Sequence, residues 1–170
     1  MHYFFRFFGA VFVLFMVSPT ANAQCTEFTG TSEGGYVSDI NCHFGKLLTC
    51  GGDGKTIEIL ASGGEFVYGP APVAGQVTLH GARYGFSSSN PTITIAFRND
   101  PAGPDDTTET FTSLDVTCTV LGTSNSIAAG QYVRVSKDAL TQPAVFDRMC
   151  VAGGYPLPVE LAAFRASVLR

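Results

Sequence analysis

The stretch TITIAFR, residues 92–98, is the strongest structural signal in the chain. Ile93, Ile95 and Phe97 alternate with polar or small residues, so they share one face of an extended backbone. β-Branched and aromatic side chains favour that conformation. The stretch therefore predicts a β-strand with one face in a core, while Thr94 and Arg98 lie on the other face.

Similar short segments flank this strand on both sides and are separated by turn-forming Gly, Pro, Asn and Asp. They lie at 56–60, 65–68, 76–80, 110–112, 115–121 and 131–135. Repeated short strands predict an all-β fold, an antiparallel β-sandwich of the jelly-roll or Ig-like type. A β-solenoid is the alternative, although the chain shows no fixed repeat. Helix is expected only at 137–141, with Ser136 as its cap, and near the C-terminus.

Residues 1–23 resemble an export signal. A short segment with Arg6 precedes the apolar run 7–17, and Ala21-Asn22-Ala23 has the small-x-small pattern of a cleavage site. The run of about eleven residues is about 16 Å long as a helix, short of the ~30 Å hydrocarbon core. We therefore predict a signal peptide cleaved between Ala23 and Gln24, with no transmembrane segment afterwards. The product is expected to be secreted or at the cell surface, with the periplasm as an alternative.

The chain has five cysteines, all after the leader. Export to an oxidising compartment favours disulfides. An odd number requires a free thiol, an intermolecular bridge or lipidation of Cys25. The short spacing of Cys42 and Cys50 suits a local bridge, and Cys118 and Cys150 are candidates for a long-range one, but spacing leaves the pairing open.

Composition limits the classes of function. The formal net charge is −4, and 14% of the residues are charged. Without a basic patch the chain lacks the electrostatic footprint of a nucleic-acid-binding protein, so no nucleic-acid partner is expected. An apolar share of 45% is too high for a disordered acidic tail. The length suits one domain with a single core.

No catalytic constellation emerges from the sequence. The GDGKT stretch at 52–56 lacks the first Gly of a P-loop, and no G-x-S-x-G elbow is present. Glu58 and Glu65 flank a predicted hairpin and are examples of acids that could serve a divergent hydrolase. We expect a non-enzyme, with the hydrolase kept as an alternative.

The predicted loop between residues 98 and 108 is rich in hard oxygen ligands. Asn99, Asp100, Asp105 and Asp106 place three carboxylates and an amide within eight residues. Such oxygens suit calcium, although the EF-hand order is missing. A calcium site in this loop is therefore one prediction, and a solvated turn is the other.

The segment PLPVEL at 156–161, followed by Phe164 and Ala166, resembles a junction in surface proteins of bacteria that use type IX secretion. There it precedes a fibronectin-like module near the C-terminal sorting domain. This chain ends at Arg170, where such a module would continue. The resemblance implies a cell-surface or secreted product. The predicted layout is a signal peptide at 1–23, a β-sandwich at 24–155, and a linker with the truncated start of a β module at 156–170.

Together these features predict an exported, non-catalytic β-sandwich module with a structural or adhesive role. A module that binds a surface glycan or small ligand, with calcium as its only candidate cofactor, is the first alternative. A protein partner also remains open.

Overall fold

The computed structural model describes residues 23–28, 30, 35–45, 55–84 and 89–152. Within these ranges the chain forms β-strands and no helix. The strands are β1 Gln24–Glu27, β2 Tyr36–Ile40, β3 Cys42–Phe44, β4 Ile57–Ile59, β5 Gly64–Tyr68, β6 Gly75–Arg83, β7 Ile93–Arg98, β8 Thr107–Phe111, β9 Thr119–Ile127, β10 Tyr132–Lys137 and β11 Ala144–Ala152.

Two antiparallel sheets pack face to face. Sheet A has the order β3-β4-β11-β6-β9, and β1 pairs with the part of β11 that extends beyond β4. Sheet B has the order β2-β5-β10-β7-β8. The eight strands β4 to β11 form two groups of four, one in each sheet. Their orders, β4-β11-β6-β9 and β5-β10-β7-β8, are those of a jelly roll. The predicted antiparallel sandwich is confirmed, and its topology is that of a jelly roll.

The core lies between the sheets and follows the predicted alternation. Ile93, Ile95 and Phe97 of β7 are buried in it. Phe28 packs edge-to-face against both Phe66 and Tyr68, with ring centroids 5.2 and 5.1 Å apart. Such aromatic pairs add to the stabilisation from apolar burial.

Two elements differ from the sequence prediction. The helix expected at 137–141 is a turn, because Lys137 ends β10 and the Asp138 N–H donates to the Thr92 carbonyl oxygen at 3.1 Å. Strand β11 was not predicted, since nearly all of its residues are buried and its sequence shows no polar alternation. It lies inside sheet A, between β6 on one side and β1 and β4 on the other. A strand buried on both faces lacks the period-two pattern.

The cysteines pair by strand register and not by sequence spacing. Cys25 and Cys150 face each other across β1 and β11 and form a disulfide, with their Cα atoms 3.9 Å apart. Cys118 is also disulfide-bonded. Cys42 is a free thiol. Neither a Cys42–Cys50 nor a Cys118–Cys150 bridge forms, and the sulfur of Cys25 is not available for lipidation.

The predicted leader and the C-terminal resemblance fall on residues 1–22 and 153–170, outside the described part of the chain. Ala23 and Gln24, the predicted cleavage pair, are described, and Gln24 is the first residue of β1. No helix in the described ranges is long and apolar enough to span a membrane.

Candidate ligand-binding pocket

One end of the sandwich contains a cavity of about 320 Å³, which we call the end pocket. The antiparallel register brings the start of β1, the end of β11 and the turn after β5 to this end. The volume is within the range of small-ligand sites in proteins. The described residues that line it are Gln24, Cys25, Thr26, Gly35, Tyr68, Gly69, Pro70, Ala71, Pro72, Val133, Met149 and Val151.

The turn 69–72 forms one wall of the end pocket. Gly69 has φ +146°, and a Cβ at this position would lie 2.7 Å from Cδ1 of Tyr132. Only glycine fits a position with that dihedral and that contact. The following peptide, Gly69–Pro70, is cis. The wall thus lies directly against the start of β10.

Backbone hydrogen bonds fix this wall to the turn between β9 and β10. The Ala71 N–H donates to the Gln131 carbonyl oxygen at 2.7 Å, and the Gly130 N–H donates to the Ala71 carbonyl oxygen at 2.8 Å. The Gln131 side chain is held in turn, since its Oε1 accepts from the Ala128 N–H and its Nε2 donates to Asn99 Oδ1. The wall is therefore pre-formed.

The opposite wall presents an unsatisfied acceptor. Oε1 of Gln24 is buried and has no hydrogen-bond partner within the described structure. Around it the pocket is mainly apolar, with Pro70, Pro72, Met149 and Val151 among its lining. A buried carbonyl oxygen without a donor is costly, so this atom calls for a donor from a ligand or water. A largely apolar cavity with a few oriented polar groups is typical of a small-ligand site.

A second, open depression of about 500 Å³ lies on the outer face of sheet B. Glu65, Thr94 and Ser136 contribute to its floor, where they form one cross-strand row. Arg134 forms an ion pair with Glu65, and Lys137 Nζ donates to the Asp138 carbonyl oxygen and to Thr141 Oγ1. It is more open than the end pocket, and its polar groups are largely satisfied within the protein.

The acidic loop after β7 is folded against this outer face. Arg98 and Arg134 both form ion pairs with Asp105, the latter at 3.0 Å between Nη1 and Oδ2. Arg134 also donates from Nε to Glu65 at 2.7 Å. Asp105 is thus neutralised by two guanidinium groups, which compete with any cation for its oxygens.

The remaining predicted calcium ligands also have protein partners. Asn99 Nδ2 donates to Asp106 Oδ2 at 2.7 Å, and Asp100 Oδ1 accepts from the Ala102 N–H at 2.8 Å. No group of three or more His, Cys, Asp or Glu is arranged to hold a metal in the part of the chain that the structure describes. Calcium binding by this loop stays a prediction. These contacts do not arrange the predicted ligands around a metal position.

Glu58 and Glu65 do not flank a hairpin, because β4 and β5 belong to different sheets. Ile57 and Ile59 face the core, so Glu58 lies on the outer side of sheet A. Phe66 faces the core, so Glu65 lies on the outer side of sheet B. The core separates the two acids, and they cannot act on opposite sides of one glycosidic bond.

Comparison with known proteins gives a likeness of fold. No protein-family model matches the sequence, and no curated protein matches it. Among solved structures, the C-terminal family 6 carbohydrate-binding module of the laminarinase LamC from Zobellia galactanivorans has a TM-score of 0.53 and 11% identity, covering 77% of this chain and 99% of that one. The family 35 module of Abf62 from Cellvibrio japonicus has a TM-score of 0.55 and 15% identity, covering 79% and 95%.

A family 35 carbohydrate-binding module from an environmental isolate is similar too, with a TM-score of 0.54, 15% identity, and coverage of 78% of this chain and 99% of that chain. At such low identity the likeness shows the β-sandwich fold and nothing about the ligand.

Sequence reasoning missed most of the end pocket. Gln24, Thr26, Met149 and Val151 belong to β1 and β11, neither of which was predicted. Turn-forming Gly and Pro residues were expected after the segment 65–68, but the position of the turn 69–72 beside β1 was not predicted. Sequence spacing does not show that Cys25 and Cys150 face each other, because their pairing depends on the register of β1 with β11.

Proposed function

We propose that this chain is an exported, non-catalytic module that binds a glycan in the end pocket. The observation that carries the proposal is Gln24, a residue that lines a mainly apolar cavity and whose buried Oε1 has no partner within the described structure. The likeness of fold to three carbohydrate-binding modules supports it. Export is supported by the leader-like sequence at 1–23.

A sugar ring suits both kinds of surface in this pocket. Its C–H face packs against apolar groups, which Pro70, Pro72 and Met149 provide. Its hydroxyl groups donate hydrogen bonds, and Gln24 Oε1 accepts one of them. Thr26 and the backbone of Gly69 offer further polar groups in the lining.

Glycan binding is therefore better supported than the structural or adhesive role that the sequence first suggested. A purely structural module has no need of a pre-formed cavity with an unsatisfied acceptor. A hydrolase is the least supported alternative, since Glu58 and Glu65 lie on opposite sides of the sandwich.

Isothermal titration calorimetry on the exported protein, after a glycan-array screen, tests the proposal. We expect millimolar or tighter binding to at least one glycan, and a loss of about tenfold or more in Gln24→Ala, since one hydrogen bond to an otherwise unsatisfied group is worth ~1–3 kcal/mol. Gln142→Ala removes the same amide near the opposite end of the sandwich and should bind normally. No binding to any glycan, or equal affinity of wild type and Gln24→Ala, contradicts the proposal.

A further inference from the structure

None of the described residues that line the end pocket has a side chain with a formal charge. The lining consists of amide, hydroxyl, phenol, apolar, glycine and disulfide groups. Arg98 of β7 and Arg134 of β10 are held in ion pairs on the outer face of sheet B. They are therefore committed to other partners and are not part of this lining.

Such a lining discriminates by charge. An anion that leaves water for a mainly apolar cavity loses its hydration, and only a cation or several donors can compensate it. Gln24 lines the pocket, and its Oε1 has no partner in the described structure. A carbonyl oxygen of this kind repels a carboxylate or sulfate oxygen. A neutral hydroxyl donates to the same atom and keeps the pocket free of charge.

We infer that the end pocket selects uncharged sugars and rejects the uronic acid or sulfate ester of the same sugar. The inference rests on the proposed glycan-binding function and adds the class of ligand. Selectivity of this kind is a difference of affinities, and the rejected ligand is excluded by an uncompensated buried charge.

Cleavage at the predicted site creates one further charged group near the pocket, and the experiment needs a control for it. Cleavage after Ala23 leaves the α-amino group on Gln24, at the edge of the pocket. A free α-amino group titrates at about 7.7–8.0, so it is cationic at pH 7 and largely neutral at pH 9.5. Uronic acids are ionised at both values. Measurement at the two pH values therefore separates the terminal amine from the lining side chains.

Calorimetry on the exported protein tests the inference. The ligands are two matched pairs of methyl glycosides, galactose with galacturonic acid and glucose with glucuronic acid. The mass of the protein identifies its N-terminus. We expect the neutral member of at least one pair to bind about tenfold or more tighter than its acid at pH 9.5, where the terminal amine is neutral, with a smaller preference at pH 7, and Gln24→Lys to reverse that order. Gln24→Leu, which removes the acceptor without adding charge, should weaken the neutral sugar, and a thermal melt checks that each variant is folded.

Equal or tighter binding of an acidic sugar by the wild type at pH 9.5 overturns the inference and leaves the glycan site standing. Binding to neither member of any pair contradicts the glycan site itself, and the inference fails with it.

Discussion

Glu109 connects the edges of the two sheets with a single carboxylate. Its oxygens accept from the backbone N–H groups of Ser124 and Asn125 at 2.9 and 2.7 Å, and from both of their side chains. Glu109 belongs to β8, an edge of sheet B, while Ser124 and Asn125 belong to β9, an edge of sheet A. The carboxylate also satisfies backbone donors that an unprotected edge strand would offer to another chain.

Burial tends to raise the pKa of Glu109, but the four hydrogen bonds to its ionised form outweigh it and hold the pKa below its ordinary value of 4.5. A carboxyl with a lowered folded pKa stabilises the protein above its unfolded pKa, and that stability is lost as pH falls through the folded pKa.

We expect Glu109→Gln to lower the free energy of unfolding by about 1–2 kcal/mol at pH 7. The difference from wild type should shrink below about pH 4. Urea denaturation at pH 7 and pH 3 measures both effects, and a difference that is unchanged between them contradicts this role.

The free thiol of Cys42 is held in a poorly reactive state. Its Sγ donates to the carbonyl oxygen of Glu65 at 3.3 Å, and burial, with the charge of Asp39, raises its pKa to about 12. The thiolate is the reactive form, and it is scarce at this pKa. We expect native protein at pH 8 to resist iodoacetamide and urea-unfolded protein to take up one label at Cys42, as read by mass spectrometry. Rapid labelling of the native protein is the opposite result.

At the scale of elements, the short strand β1 depends on its disulfide. β1 has four residues and pairs only with β11, yet it supplies Gln24 and Thr26 to the end pocket. The Cys25–Cys150 bridge spans 125 residues of sequence, and a loop of that size is worth about 5 kcal/mol in the chain-entropy model. The bridge therefore both stabilises the fold and keeps β1 in the pocket wall.

Replacing both Cys25 and Cys150 by Ser should lower the melting temperature and abolish glycan binding, while the β-type circular-dichroism spectrum is retained. Hydrogen exchange should show β1 losing protection more than β7, which lies inside sheet B. Wild-type affinity in the folded double variant contradicts this account of β1.

The acidic loop, where a calcium site stays a prediction, also supports the pocket wall. Asn99 accepts from Gln131 Nε2 at 3.2 Å, and the Gln131 carbonyl oxygen receives the Ala71 N–H of the wall. We expect Gln131→Ala to speed amide exchange at Ala71 and Gly130 and to weaken glycan binding about fivefold, since a hydrogen bond is worth ~1 kcal/mol. Gln76→Ala, whose side chain bonds to Ser124 at the edge of sheet A, serves as the control. Unchanged exchange in Gln131→Ala rules out the support.

For the whole molecule, the sequence predicts the architecture better than the site. Strand β7 was predicted because one of its faces is buried and the other is polar, which produces the period of two. Strand β11 was not, because both of its faces are covered. The end pocket joins residues near 24, 70 and 150, and only the sheet order brings them together. The pairing of Cys25 with Cys150 depends on the same long-range register.

The most direct measurement of the central claim is a ¹H–¹⁵N NMR titration of the exported protein with the best neutral sugar from the screen. The account predicts that the largest amide shifts fall on β1, on the turn 69–72 and near Val151, around the end pocket. Shifts centred on Thr94 and Ser136, on the outer face of sheet B, or no shifts at saturating sugar, would contradict it.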